Sequence, residues 1–214
     1  MSLITIWRAY QHCPLGAQFR VLVRYLTCPF HALLKGIPPT GHILDVGCGD
    51  GLLFFLLSRE SQCGTRECIG IDLAENKIAN ASCLQIGNAQ FRQQDISQIA
   101  SDSFHCVTIV DVLYLLPISQ WSVFLSHSIR VLKKDGILIV KEVTDRPRWK
   151  YLFSYLQEVV SIHVTRMTKG HHPHFESIDT YRHSIEAAGG EVIRVERVDA
   201  MRPHAHVIFV ARKP

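Results

Sequence analysis

Residues Ile43–Leu57 read ILDVGCGDGLLFFLL, and this stretch decides the fold. Its apolar start predicts a buried strand that ends near Asp45, followed by a turn through three glycines and an apolar helix. Because glycine has no side chain, Gly47, Gly49 and Gly51 would let the backbone approach a ligand closely. The first βα turn of a doubly wound sheet is where nucleotides bind, so we expect a nucleotide-like ligand at this turn.

The spacing of the glycines narrows the choice of ligand. A dinucleotide-binding loop follows the pattern GxGxxG, whereas Leu52 occupies the third glycine position here, which disfavours a nicotinamide-dependent oxidoreductase. Asp45 precedes the first glycine by two residues and places a carboxylate where it would attract an ammonium group instead of a phosphate. S-adenosylmethionine has such an ammonium group and no phosphate.

Two further aspartates follow at the ends of predicted strands. Asp72 ends the run CIGID and is placed to accept hydrogen bonds from ribose hydroxyls. Asp95, in FRQQDI, is placed to accept a hydrogen bond from an adenine amino group, with the backbone of Ile96 nearby. Each element alone is common, but the ordered set indicates an S-adenosyl cofactor.

Short apolar runs alternate with helical stretches along most of the chain. The predicted strands lie in HILDVG, CIGIDL, FRQQDI, FHCVTIVDV and GILIVKEV, and WSVFLSHSIRVLKK is predicted to be the helix before the last of them. Such alternation predicts an α/β fold with a parallel sheet and helices on both faces. Two closing strands, EVIRVERVDA and HAHVIFVARK, are too close in sequence for a parallel crossover, so we expect them to pair antiparallel.

These ordered motifs resemble those of the class I S-adenosylmethionine-dependent methyltransferases, in a pattern close to the small-molecule group related to quinone methyltransferases. The resemblance covers His42 to Lys213. It implies a Rossmann-like, doubly wound, seven-stranded α/β sheet that is mostly parallel with an antiparallel last strand. The cofactor-binding residues that it implies are Asp45, Gly47, Cys48, Gly49, Gly51, Asp72, Leu73, Asp95, Ile96, Asp111 and Val112. Many relatives place histidines after the fourth strand, where this sequence has Tyr114 and Leu115, so no role carries over from those histidines.

The turn formers of GIPPTG, residues 36–41, mark the one clear boundary in the chain. Residues 1–41 are predicted to be a helical extension, and residues 42–214 a cofactor-binding domain with a helical insertion at about residues 146–176. We favour a lid over the acceptor pocket as the role of the extension. The alternatives are an amphipathic helix that touches a membrane and a dimer contact.

Within the extension, a helix is predicted from Gly16 to Lys35 with a break at Pro29. Its apolar face comprises Phe19, Leu22, Val23 and Leu26. Arg20 and Arg24 lie on another face. Aromatic side chains of the extension would help to line an apolar pocket for an aromatic or lipid-like acceptor: Trp7, Tyr10, Phe19, Tyr25 and Phe30.

Methyl transfer is an in-line displacement, so the main task of such a site is to hold the acceptor in line and exclude water. Oriented approach of the reactants lowers the activation barrier by about 7 to 11 kcal/mol. A general base accelerates a reaction by roughly a hundred- to ten-thousand-fold, which corresponds to a smaller reduction of the barrier. A base is needed only if the acceptor must lose a proton. We therefore expect positioning to outweigh acid–base chemistry.

Candidate bases are Tyr114, Glu142 at the end of the fifth strand, and histidines of the insertion. The insertion contributes His171, with His163, His172 and His174. In the alternative interpretation Tyr114 packs under the cofactor, Glu142 caps a loop and the histidines are solvated. A zinc site, completed by His163 or His183, has no cysteine near it, so we expect no metal.

Composition limits the partners. The 214 residues are 47% hydrophobic and 20% charged, as in a soluble globular protein, and the formal charge of +4 is not gathered in a basic tail. The segment after the fourth strand has no NPPY-type or DPPY-type tetrapeptide, so we expect a small-molecule acceptor and no nucleic acid. Seven cysteines without a CxxC pair, and no signal or membrane-spanning run, indicate a reduced cytoplasmic protein.

The remaining alternative is a non-catalytic S-adenosylmethionine-binding module that acts in a complex. The intact GCGDG turn and the intact Asp72 disfavour a degenerate cofactor site.

Overall fold

The computed structural model of the protein describes residues 1–60, 65–147, 175–198 and 204–214. Within these residues the strands are β1 Gly41–Val46, β2 Arg66–Asp72, β3 Ala89–Gln93, β4 Phe104–Val110, β5 Leu132–Val143, β6 Glu191–Arg197 and β7 His206–Arg212. They form one seven-stranded sheet in the order β3-β2-β1-β4-β5-β7-β6. The pairs among β1 to β5 are parallel, and β7 runs antiparallel to both β5 and β6. The predicted fold class is therefore confirmed.

Helices cover both faces of this sheet. They are α1 Leu3–Ala9, α2 Leu15–Thr27, α3 Phe30–Gly36, α4 Leu52–Leu57, α5 Glu75–Ser82, α6 Ile118–Arg130 and α7 Ile178–Ala187. One apolar cluster joins α1 to α4 with one face of the sheet, and a second joins α6 and α7 with the other. All six residues of α4 are buried, because the helix lies between the sheet and the N-terminal helices.

The predicted extension is part of the main core. Ile6, Tyr10 and Val21 are buried in the same cluster as Ile43 and the side chains of α4. α1 to α3 therefore pack against the sheet beside the glycine turn. None of the described helices has the length and hydropathy that a crossing of a bilayer requires.

The orientation of α2 differs from the one predicted from its apolar face. Ala17 and Val21 are buried, whereas Phe19 and Leu26 on the predicted apolar face are each 59% exposed. The aromatic pocket predicted from this region is wrong for Trp7 and Phe19, whose side chains lie at the surface, while Tyr10 and Phe30 are buried in the core. The reason is that the arginine face of α2 pairs with carboxylates at the sheet.

A second difference concerns the start of β5. The predicted helix WSVFLSHSIRVLKK ends at Arg130, and Leu132 already belongs to the strand. Leu132 pairs with Phe104 of β4, where it is fully buried. Burial of this side chain in the sheet outweighs the helical pattern of the preceding residues.

Candidate active site

The glycine turn after β1 is anchored to the neighbouring strand. The backbone N–H groups of Gly47 and Cys48 both donate to the carbonyl of Ile71, at 2.8 and 3.0 Å. Gly47 has φ of +72°, and a Cβ at this position would lie 2.5 Å from Cγ2 of Val112. Only glycine therefore fits here without moving the segment after β4.

Asp72 stands at the carboxyl end of β2, beside the same turn. Its Oδ2 accepts from the N–H of Gly49 at 3.0 Å, and its Oδ1 accepts from the N–H of Ala74 at 2.9 Å. Leu73, the next residue, is 68% exposed. The two backbone bonds hold the carboxylate at the mouth of the turn, where the ribose contact is predicted.

Asp45 lies deeper, at the end of β1. It is 3% exposed and accepts a hydrogen bond of 2.7 Å from the Thr108 hydroxyl. Burial raises the pKa of Asp45 to about 7, and the bond from Thr108 only partly offsets this effect. A cationic ligand group beside Asp45 would favour the ionised form.

Asp50 connects the N-terminal helices to the turn. Nε and Nη2 of Arg20 donate to its two carboxylate oxygens at 2.8 and 2.6 Å, and Nδ2 of Asn80 donates to Oδ1 at 2.9 Å. The hydroxyl of Tyr10 donates to the Asp50 carbonyl at 2.9 Å. This paired, charge-assisted geometry fixes α2 directly over the glycine turn.

A cleft lies between α2 and the glycine turn. The sheet side contributes Asp45, Cys48, Gly49 and Val110, and α2 contributes Arg20 and Arg24.

The cleft fits the predicted cofactor. A Cβ built on Gly49 would meet no described atom within 4 Å, so the backbone of the turn is open to a ligand. Asp45 offers a buried carboxylate to an ammonium group, and Asp72 offers a second carboxylate at the adjoining strand end. S-adenosylmethionine carries the ammonium and ribose hydroxyl groups that this set would recognise.

The predicted adenine residues follow β3. Oδ1 of Asp95 accepts from the N–H of Ser97 at 2.8 Å and so caps the 3-10 turn Ile96–Gln98. These bonds lower the pKa of Asp95, and Ile96 is buried in the core. The adenine contact itself stays a prediction.

Cys48 fills space beneath the turn. Its Cβ and Sγ would each lie 3.0 Å from a Cβ built on Gly70, and burial raises the pKa of the thiol well above its ordinary value. A neutral, buried thiol is a poor nucleophile, so the geometry favours a packing role.

Beyond Val110, a second group of polar side chains lies under α2. We call it the Lys141 cluster, and it comprises Arg24, Asp111, Lys141 and His206. Nζ of Lys141 contacts Oδ1 of Asp111 at 2.5 Å, Nη2 of Arg24 lies 3.9 Å from Oδ2 of Asp111, and Nε2 of His206 donates to the Thr27 carbonyl at 2.8 Å. Lys141 is fully buried.

Only Asp111 of this cluster was predicted from the sequence as a site residue. One signal was present for Lys141, because a lysine inside the apolar run GILIVKEV is unusual unless its charge is paired. Arg24 and His206 gave no such signal, since their positions depend on packing between distant parts of the chain.

The three candidate bases have different settings. Tyr114 lies on the 3-10 turn Leu113–Leu115, with its ring centroid 5.1 Å from that of Phe175. Glu142 is fully buried, and its Oε1 accepts from the N–H groups of Val112 and Leu113 at 3.0 and 2.8 Å. Burial and the nearby Asp111 raise the pKa of Glu142 to about 8.

The geometry of Glu142 favours the alternative of loop capping, since its carboxyl group fixes the segment after β4. His171, with His163, His172 and His174, lies outside the described residues. Within the described residues, no group of three or more histidine, cysteine, aspartate or glutamate side chains is arranged to hold a metal ion.

Comparison with known proteins identifies the family. A family model described as a methyltransferase domain matches residues 20–195. No match is found among curated proteins. The fold is similar to that of an S-adenosylmethionine-dependent methyltransferase of Methanosarcina mazei, with 18% identity, 85% of this chain and 96% of that chain covered, and a TM-score of 0.66.

Two further structures share the fold. Magnesium protoporphyrin IX methyltransferase of Synechocystis, solved with bound S-adenosylhomocysteine, is 20% identical over 92% of this chain and 87% of its own, with a TM-score of 0.67. A complex of the Haloferax volcanii methyltransferase activator Trm112 with a methyltransferase contains a chain that is 17% identical, with 93% and 96% covered and a TM-score of 0.73.

The family model spans most of the chain, and the sheet order and the glycine turn agree with it. The protein therefore belongs to the class I S-adenosylmethionine-dependent methyltransferases.

Proposed function

We propose that the protein transfers the methyl group of S-adenosylmethionine to a small aromatic or lipid-like acceptor by in-line displacement. The observation that carries this proposal is the cleft in which α2 covers the glycine turn and the carboxyl ends of β1 and β4. When bound, the cofactor supplies a methyl group on a sulfonium centre. The protein's own task is then to orient both partners and exclude water.

In this proposal, residues at the ends of successive strands contact different parts of the cofactor. Asp45 binds the ammonium group, and Asp72, with Leu73 beside it, holds the ribose. Asp95 and Ile96 contact the adenine. Asp111 and Val112 border the transferred methyl group.

We also propose that residues 1–41 act as a lid. The paired hydrogen bonds from Arg20 to Asp50, and the bond of 2.7 Å from Nη2 of Arg24 to the Val110 carbonyl, support this role. Among the candidate bases, Tyr114 is the best supported, because it interacts electrostatically with Arg24, which lines the cleft. Glu142 and His171 remain candidates.

A second candidate function is a cofactor-binding module that acts in a complex. The complex of the Haloferax methyltransferase with its activator favours this reading, because a chain of the same fold is bound there to a protein partner. Methyl transfer by the isolated chain would argue against it.

Calorimetric titration with S-adenosylmethionine and S-adenosylhomocysteine tests the cofactor site. We expect Asp72→Ala to weaken binding by about 1.5 to 3 kcal/mol, as for lost hydrogen bonds to a charged group. Glu67→Ala is the matched control, because this carboxylate is exposed at the other end of the same strand. Equal affinity of the Asp72 variant and the control would refute the ribose role.

The surface of the N-terminal helices supports a further proposal, peripheral contact with an anionic membrane. Seven large apolar side chains are exposed there: Met1, Leu3, Ile4, Trp7, Leu15, Phe19 and Leu26. The first 44 residues contain four basic side chains and no carboxylate, so the whole formal excess of +4 lies in this segment. An apolar surface with basic residues nearby suits the interface of anionic lipids.

We propose a cytoplasmic location. Within the described residues, no disulfide joins the cysteines, as is usual in a reducing compartment. We further propose that no nucleic acid is a partner, because Arg20 and Arg24 line the cleft and do not form a basic outer surface.

A further inference from the structure

The Lys141 cluster lies at the carboxyl edge of β4 and β5, next to the cleft proposed for the cofactor. Lys141 is near the carboxyl end of β5, Asp111 follows β4, and His206 begins the antiparallel β7, so all three meet at one edge. Arg24 connects the cleft to the cluster, because it lines the cofactor cleft and its Nη2 lies 3.9 Å from Oδ2 of Asp111. The cluster thus begins where the cleft ends.

The cluster holds more positive than negative charge. Arg24 and Lys141 are cations, and Asp111 is the carboxylate between them. Although burial raises the pKa of Asp111, the charges of Lys141 and Arg24 lower it below its ordinary value, so Asp111 is ionised. One positive charge therefore remains without a partner among the described side chains of the cluster.

The neighbouring titratable groups do not remove this excess. Burial and Lys141 lower the pKa of His206 to about 2, so its imidazole is neutral. Burial and Asp111 raise the pKa of Glu142 to about 8, so this carboxyl group is largely protonated at pH 7.

The cofactor does not remove the excess either. The ammonium and carboxylate groups of its methionine end cancel, and its sulfonium adds one positive charge. Asp45, in the cleft, can offset that charge. With the cofactor bound, the same single excess therefore persists at the Lys141 cluster.

Within the Lys141 cluster, two buried side chains have hydrogen-bonding capacity that the described residues do not use. Lys141 has three N–H donors, and Asp111 is its one hydrogen-bond partner among the described residues. Nδ1 of His206 has no hydrogen-bond partner among the described residues, and the residue is only 3% exposed. Buried polar atoms of this kind are normally satisfied by a bound water or ligand.

We infer that the Lys141 cluster binds the anionic oxygen of the methyl acceptor, and that the acceptor is a monovalent organic acid with an apolar body. A single excess charge is balanced by one carboxylate, whereas a phosphate dianion would bring a second negative charge close to Asp111. Lys141 and Arg24 act as positioning residues that orient this acid beside the cofactor. The inference rests on the proposed function, since it assigns the acceptor of that same site.

The test is calorimetric titration of the full chain loaded with sinefungin, an unreactive analogue that carries an ammonium group in place of the methyl sulfonium. Octanoate and octanamide form a matched pair that differs in charge. We expect octanoate to bind at least about tenfold more tightly, which corresponds to one charge-assisted hydrogen bond. Equal affinity, or no heat with octanoate, would overturn the inference.

Three variants show whether the cluster causes the preference. Lys141→Gln should abolish it, and Lys134→Gln, at an exposed position on the same strand, should retain it. Asp111→Asn should strengthen octanoate binding, because it removes the competing carboxylate, and asparagine tolerates the φ of +59° at this position. A purely structural cluster would not give opposite signs for Lys141 and Asp111, and thermal unfolding of each variant checks that it is folded.

The outcomes separate this inference from the proposed function. Failure to bind sinefungin and S-adenosylmethionine would overturn both. Cofactor binding with equal affinities for octanoate and octanamide would overturn only the acidic acceptor. If Lys141→Gln weakens sinefungin and leaves octanoate unchanged, the cation serves the cofactor carboxylate and the inference is wrong.

Discussion

The buried carboxyl group of Asp45 should make cofactor affinity depend on pH. Its pKa is raised to about 7 by burial, and an ammonium ligand binds only the ionised form. Affinity for S-adenosylhomocysteine should therefore rise as pH increases through 7 and level off above about pH 8. Below pH 7, each pH unit should weaken binding by up to about tenfold. Titration calorimetry between pH 5.5 and 8.5 measures this slope.

Asp45→Asn provides the comparison for that experiment. The amide keeps the size of the side chain and its bond with Thr108, but it cannot ionise. The variant should bind weakly and without the slope seen in the wild type. The same pH dependence in both proteins would show that another group titrates.

Glu142 should affect stability in the opposite direction. Its pKa is raised to about 8 by burial, against about 4.3 in an unfolded chain. Between these values the folded state keeps a proton that the unfolded state has lost, so this group makes stability fall as pH rises from about 4.3 to 8. Glu142→Gln should remove this contribution, because glutamine can still accept from the N–H groups of Val112 and Leu113.

Thermal unfolding from pH 5 to 9 compares the two proteins. The melting temperature of Glu142→Gln relative to that of the wild type should increase with pH, and the difference should change by several degrees up to pH 8. Glu191→Gln, at an exposed position, should follow the wild type. Parallel curves for the Glu142 variant and the wild type would contradict a buried, protonated carboxyl group.

The sequence predicts the positions of residues whose placement depends on local backbone. Gly47 and Asp72 belong to a strand-turn-helix unit, so their spacing in sequence nearly fixes their arrangement in space. Arg24, Lys141 and His206 come from α2, β5 and β7, and no local pattern shows that these elements meet. The sequence therefore did not predict that these three side chains lie together next to the cleft.

At the scale of elements, α2 is the part most open to a kinetic test. Arg20→Gln would break the paired hydrogen bonds to Asp50. Because this ion pair is partly exposed, we expect the free energy of unfolding to fall by ~1 kcal/mol. If α2 gates the cleft, association and dissociation rates of S-adenosylhomocysteine should both rise about fivefold. Stopped-flow fluorescence measures both rates.

Arg8→Gln is the control for α2, because Arg8 is exposed on the neighbouring helix α1. It should leave both rate constants unchanged. Rates that are equal in the Arg20 variant and the wild type would mean that the cofactor enters without movement of α2.

The elements also show where periodicity is a poor guide. A strand that is buried on both faces has a continuous apolar run in its sequence, and for this reason the strands around β1 were predicted. The helix α2 was predicted as well, but its burial was not, since an apolar stripe normally faces the core. Two ion pairs with Asp50 and Asp111 turn its arginine face inward, and such long-range pairing has no signature in a single helix.

For the whole molecule, the uneven distribution of charge and apolar surface predicts lipid binding. The protein should float with vesicles of phosphatidylglycerol and remain in solution with phosphatidylcholine, and high salt should weaken the binding. The double variant Trp7→Gln/Phe19→Gln should float less. Ile193→Gln, an equally exposed apolar position on β6, should behave as the wild type.

Flotation that is independent of lipid charge would contradict the electrostatic part of this proposal. Absence of flotation with either lipid would refute membrane contact as a whole. The exposed apolar surface of α1 and α2 would then be available for the alternative of a dimer contact.

The position of β7 has a consequence for synthesis on the ribosome. β7 lies between β5 and β6, so the last of the seven described strands to leave the exit tunnel is the one that joins its two neighbours. Until then the edge of β5 stays open, β6 has no partner in the described sheet, and Thr27 lacks the hydrogen bond from His206. The nascent chain must therefore keep its first helices and β5 apart from other chains until β7 has been made.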